Sequence, residues 1–186
     1  VGLYEYKVCS SALRNEKNSP YILYSKGLAQ ASGTRTVAPI VVLFHGLTDS
    51  PFMVRGIAKH LNKKGFTVLA PLSPGHGKVD AAFDMRDPEL RQRWYRHVDD
   101  IMALVRPYSE KTFIGGYSTG GTLATRYMLL NPAEIDGLLL FSGALSLSGR
   151  AENLGRIWGM KWIAKWVDGD FESGGPYPYR YPEVAG

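Results

Sequence analysis

Four stretches of this chain are apolar almost without interruption: residues 39–44, 66–70, 112–114 and 136–143. Short continuous runs of this kind are expected of strands buried on both faces of a parallel sheet. Between them the apolar positions recur every three or four residues. Phe52, Val54, Ile57, Ala58 and Leu61 mark one helix over 51–64, and Leu90, Trp94, Val98, Ile101 and Val105 mark a longer one. A third runs over 119–131, and the three stop at Gly65, Pro107 and Pro132. Four buried strands alternating with three helices predict a doubly wound α/β sheet. Nearer the start, residues 4–8 alternate like an edge strand and 21–24 read as another short strand, with a turn over 15–20. Residues 72–88 are loop-like and contain Gly75-His76-Gly77.

After Gly143 the pattern changes. Residues 154–167 are helical, with Trp158, Trp162 and Trp166 at four-residue spacing, and 174–179 form an aromatic, Pro-rich loop. A boundary near Ser146 therefore divides the chain into an α/β core over 1–145 and a separate helical segment over 146–186. No further strand is legible there.

The stretch 111–131, K-T-F-I-G-G-Y-S-T-G-G-T-L-A-T-R-Y-M-L-L-N, places Ser118 on the turn from the third strand into its helix. Gly116, Ser118 and Gly120 form G-x-S-x-G, in which glycines let strand and helix pass close to a serine held in a strained conformation. Acyl transfer at such a serine also needs donors for the oxygen that becomes negative. The backbone N–H of Thr119 opens the helix and supplies one, and that of Leu47, following His45-Gly46 after the first buried strand, supplies the other.

Composition adds limits. The chain has 186 residues, 45% hydrophobic and 21% charged, the profile of a globular domain able to bury a core. No apolar run approaches the roughly 20 residues that span a bilayer. The chain opens V-G-L-Y-E-Y-K with no initiator Met, a trimmed start compatible with a removed signal peptide, and a cytoplasmic location is otherwise expected. Cys9 stands alone, so neither an internal disulfide nor a C-x-x-C metal pattern is available, and no metal is expected. The net charge of +5 is spread over several helices, for example Arg55, Lys59, Lys63 and Lys64. Solvated helix faces explain it. Nucleic-acid binding is not expected without a basic stripe bearing stacking aromatics, and contact with an anionic membrane surface fits the charge better.

The combination of H-G-L-T after the first buried strand, G-H-G after the second and G-Y-S-T-G at the third resembles an α/β-hydrolase, and more narrowly the bacterial carboxylesterase and monoacylglycerol-lipase group. The resemblance covers roughly 39–143. It implies hydrolysis of carboxylic esters of medium or long acyl chains without a cofactor, the substrate being a small-molecule or lipid ester. The tryptophan helix is similar to the opening of that group's cap, which would let Trp158 and Trp162 line an acyl pocket, although ordinary packing within the cap also accounts for them.

The resemblance has a gap. Family order is nucleophile, then acid, then histidine, yet His45, His60, His76 and His97 all precede Ser118. His45 and His76 are expected to shape loops, and His97 to lie at the surface or an interface. Asp168 and Asp170 read as solvated loop acids. The expectation is an N-terminal portion of the fold, incomplete at its C-terminus, whose triad base and acid lie in sequence outside this chain. The competing reading is a non-catalytic ligand-binding or interaction protein on the same fold.

Overall fold

The computed structural model describes residues 13–25, 38–78 and 84–143, and the backbone of 3–5. Its strands are β1 (Leu3–Glu5), β2 (Tyr21–Leu23), β3 (Ile40–Phe44), β4 (Thr67–Ala70), β5 (Thr112–Tyr117) and β6 (Gly137–Phe141). Its helices are α1 (Arg55–Lys63), α2 (Leu90–Val105) and α3 (Thr119–Leu130). The proposed boundary at 145/146 and the tryptophan segment, with Trp158, Trp162 and Trp166, lie outside the described residues.

All six strands form one sheet in the order β1-β2-β4-β3-β5-β6. The four strands predicted from apolar runs pair in parallel: β4 with β3, β3 with β5, and β5 with β6. The two short early strands pair antiparallel, β1 on β2 and β2 on β4. The sheet is thus mostly parallel but mixed.

β3 shows why the central runs are apolar without alternation. Ile40, Val42 and Phe44 belong to a cluster with Val98, Met102 and Val105 of α2 and Leu123, Ala124 and Tyr127 of α3. Val41 and Leu43 belong to the cluster on the opposite face, with Val54, Ala58 of α1, Val68 and Ala70. Alternate side chains point to opposite faces, and helices cover both faces. Both registers must therefore be hydrophobic.

Two boundaries differ from the periodicity. The helix expected from residue 51 opens as a 3-10 turn over Pro51–Val54, and α1 starts at Arg55 because Val54 (φ −86°, ψ 1°) leaves the α range. The serine's strand runs on to Tyr117 rather than ending near residue 114. No helix among the described residues is long and apolar enough to cross a membrane.

From β3 the chain passes through α1 to β4 on one side, while β5 lies on the other. Such a reversal opens a crevice at the carboxyl ends of the strands. The residues at that edge are His45, following β3, and Ser118, following β5.

Candidate active site

Ser118 has φ 50° and ψ −117°, a conformation that non-glycine residues adopt at a cost of about 1–3 kcal/mol. The surroundings hold it there. Its N–H donates to the Phe141 carbonyl of β6 at 3.1 Å, and its own carbonyl accepts from Thr122 N–H at 3.2 Å, the first bond of α3. A Cβ on Gly116 would strike the Gly120 backbone, and one on Gly120 would strike the carbonyls of Phe44 and His45. The two glycines therefore let α3 start directly against β5 and the end of β3. Thr119 is the first residue of α3, so its N–H has no partner within the helix.

The loop after β3 abuts this turn. A carbon added at Gly46 would lie 3.4 Å from Ser118 Cβ and 3.1 Å from the Tyr117 ring. Gly46 O accepts from Asp49 N–H at 3.3 Å, which closes a turn with Leu47 and Thr48 at its tip. Leu47 is 46% exposed, so the tip faces open space beside the serine.

Two histidines fix the loop from beneath. His45 is 2% exposed. Its Nε2 accepts from Ser73 N–H at 3.0 Å, which leaves the proton on Nδ1, where it is donated to Gly46 O at 2.8 Å. Burial, and then the charge that His76 would carry, lower its pKa to about 3. His45 is a neutral structural link.

His76 Nε2 lies 2.7 Å from Leu47 O, and Nδ1 lies 3.1 Å from Pro74 O. A neutral ring has one N–H. Pro74 O already accepts from Trp94 Nε1 at 2.8 Å, so we place the His76 proton on Nε2, donating to Leu47. Burial lowers the His76 pKa as well. The His45 and His76 rings meet edge to face with centroids 4.8 Å apart.

His97, expected at the surface or an interface, packs partly inward. It is half-buried on α2, edge-on to Phe44 at 6.4 Å, with its pKa lowered by burial and a buried Nε2 that has no partner. α2 presents Trp94, His97 and Ile101 on successive turns, and this stripe faces the sheet. His60 is exposed near the end of α1. Among the described residues, no imidazole is hydrogen-bonded to the Ser118 hydroxyl.

The structure thus brings together Ser118, Thr119, Gly116, Gly120, His45, Gly46 and Leu47 at one sheet edge. Asp168 and Asp170 lie outside the described residues. His76 shapes the loop as expected, through its reach to Leu47 O, whereas Asp49, whose backbone N–H closes the turn on Gly46 O, had no individual signal in the sequence.

The family model described as serine aminopeptidase, S33 (Hydrolase_4) matches residues 35–175. The chain belongs to this α/β-hydrolase family. It is 27% identical over 114 residues to a thermostable monoacylglycerol lipase of Bacillus sp. (strain H-257), covering 61% of this chain and 44% of that protein. It is also 27% identical over 106 residues to the AB hydrolase superfamily protein YisY of Bacillus subtilis (strain 168), 56% of this chain and 37% of that one. The chain spans less than half the length of these relatives.

Among solved structures, the monoacylglycerol lipase of Paleococcus ferrophilus is 25% identical with a TM-score of 0.50, covering 85% of this chain and 52% of that one. A carboxyl esterase of Bacillus coagulans, 18% identical with a TM-score of 0.56 over 88% of this chain and 51% of that one, shares the fold. These likenesses show the α/β-hydrolase fold.

Proposed function

We propose that the protein is a serine hydrolase of carboxylic esters, of carboxylesterase or lipase type, acting through an acyl-enzyme on Ser118. The observation that carries this reading is the conformation of Ser118, φ 50° and ψ −117°, beside two backbone N–H groups, Leu47 and Thr119, at the same sheet edge. Strain of this kind persists only where the surrounding structure imposes it. Here it projects a hydroxyl from a sharp turn.

In this mechanism Ser118 Oγ attacks the ester carbonyl and loses its proton to a histidine. The Leu47 and Thr119 N–H groups hold the oxygen as it becomes negative, and the helix dipole of α3 favours the same charge. The alcohol leaves with a proton, and water then releases the acid by the reverse sequence. His45 is a poor base because both of its nitrogens are engaged and its pKa is lowered to about 3. We therefore assign the base and its acid to sequence outside this chain. The substrate is a small-molecule or lipid ester, in keeping with the relatives named as monoacylglycerol lipases, and the resemblance implies no cofactor.

A fluorophosphonate probe applied to the full-length protein tests the assignment. Labelling of Ser118, lost in Ser118→Ala together with ester hydrolysis, is the expected result. An unlabelled serine under conditions that label a known serine hydrolase would favour a non-catalytic ligand-binding protein instead.

A further inference from the structure

The loops after β3 and β4 are joined by a closed circuit of hydrogen bonds. His45 Nδ1–H donates to Gly46 O at 2.8 Å, and Ser73 N–H donates to His45 Nε2 at 3.0 Å. His76 N–H donates to Ser73 O at 3.1 Å, and His76 Nε2–H donates to Leu47 O at 2.7 Å. Gly46 and Leu47 are neighbours in the chain, so the last bond returns to where the first began.

The circuit bears on the Leu47 N–H through peptide geometry. A trans peptide is planar, and its N–H points opposite to its C=O. The peptide that carries the Leu47 N–H also carries Gly46 O, which is turned toward Asp49 N–H and His45. The Leu47 N–H is therefore turned away from both. Glycine at position 46 leaves this peptide free to swing, and the Asp49 bond that closes the turn is long, at 3.3 Å. The next peptide carries Leu47 O. By holding that oxygen His76 fixes the far side of Leu47, so the residue is restrained at both flanks. Among the described residues no other side chain donates to Leu47 O.

His76 is itself held in place. It is 5% exposed, and its ring lies against His45 with centroids 4.8 Å apart and against Trp94 with centroids 5.6 Å apart. An apolar ring would fill this space without the desolvation that a buried imidazole costs. What sets His76 apart from such a ring at this position is the donor facing Leu47 O.

We propose that His76 is a positioning residue, whose Nε2–H holds Leu47 O and thereby keeps the Leu47 N–H aimed at the oxygen that becomes negative. The inference rests on the reading of Ser118 and Leu47 given above. Preorganised donors act by pointing where charge develops, so a loosened tip costs transition-state stabilisation more than ground-state binding.

The test uses the full-length protein with p-nitrophenyl esters, a trifluoromethyl ketone as a tetrahedral mimic, and nitrogen-15 NMR of the His76 ring. The NMR is expected to find the proton of the neutral ring on Nε2. His76→Phe keeps a ring between His45 and Trp94 but deletes the donor. It is expected to lower kcat by about tenfold with little change in KM, and to weaken the ketone by a similar factor. His76→Gln brings an amide N–H to the same carbonyl and is expected to restore most of both. A neutral ring protonated on Nδ1 overturns the bond itself, whether or not either variant folds. Retained kcat in His76→Phe, a loss confined to KM, or His76→Gln no better than His76→Phe overturns the positioning role while leaving the hydrolase reading intact. An absence of fluorophosphonate labelling in the unsubstituted protein overturns that reading and the role with it, while the bond still stands or falls on the NMR.

Discussion

The strained backbone at Ser118 is held by atoms that belong to other residues, and Gly120 is the tightest of these contacts. In an ordinary helix, replacing Gly by Ala gains about 1 kcal/mol through propensity. At Gly120 the added methyl meets the carbonyls of Phe44 and His45, which are backbone and cannot swing aside. Overpacking of this kind costs about 1–3 kcal/mol. Gly120→Ala is therefore expected to destabilise the protein despite the better helix former, and to displace the loop that carries Leu47. Urea unfolding reads the first effect and the rate of fluorophosphonate labelling reads the second. A stabilised variant with a normal labelling rate would contradict this account of the contact.

Element by element, the sequence was most legible where both faces of a strand are covered. β3 to β5 announced themselves as apolar runs because α1 lies on one face of the sheet and α2 and α3 on the other, whereas β6 reads the same way although none of its residues is fully buried and Leu140 is exposed. β1 and β2 are only three residues long, too short for a period to fix their direction, and their antiparallel pairing emerged only from the sheet. The turn at Ser118 was legible because its glycines and serine are adjacent in sequence. The contacts of His76 with Leu47 O and of Asp49 N–H with Gly46 O were not. Each depends on where a backbone group points, and for His76 on a partner 29 positions away. His97 had a readable signal in its three- and four-residue spacing from Trp94 and Ile101, but its polarity left surface and interface positions both open.

A second contact between elements was equally hidden. Asn62 of α1 aims Nδ2 at three carbonyls, Leu23 O at 3.2 Å, Tyr24 O at 2.9 Å and Phe66 O at 2.9 Å. It stitches the helix to the antiparallel side of the sheet and to the entry of β4. Asn62→Ala leaves these acceptors without that donor and is expected to cost about 1–3 kcal/mol. Hydrogen exchange should show the loss concentrated around β2, whereas uniform destabilisation would argue against a local stitch.

At the scale of the molecule, three histidines share one electrostatic condition. His45, His76 and His97 all have pKa values lowered mainly by burial. An unfolded histidine takes up a proton below a pH of about 6.5, while the folded His45 resists until about 3. Unfolding therefore takes up protons in this window, and stability falls as pH falls. His45 alone contributes a slope of up to about 1.4 kcal/mol per pH unit over most of it. Asp49, whose pKa is raised by burial, works in the opposite direction at the acid end, but one carboxyl does not offset three imidazoles. Urea midpoints measured from pH 8 down to 5 should be flat at first and then decline below about pH 6.5. A midpoint that rises on acidification would show that these rings are charged in the folded protein.

The bond from Ser118 N–H to Phe141 O also has a consequence for timing. The last restraint on the serine comes from β6, a strand that leaves the ribosome after the serine itself. Until β6 arrives beside β5, nothing on that side compels the turn to hold its unfavourable angles. A growing chain thus carries Ser118 unset, and the turn is complete only once β6 lies beside β5.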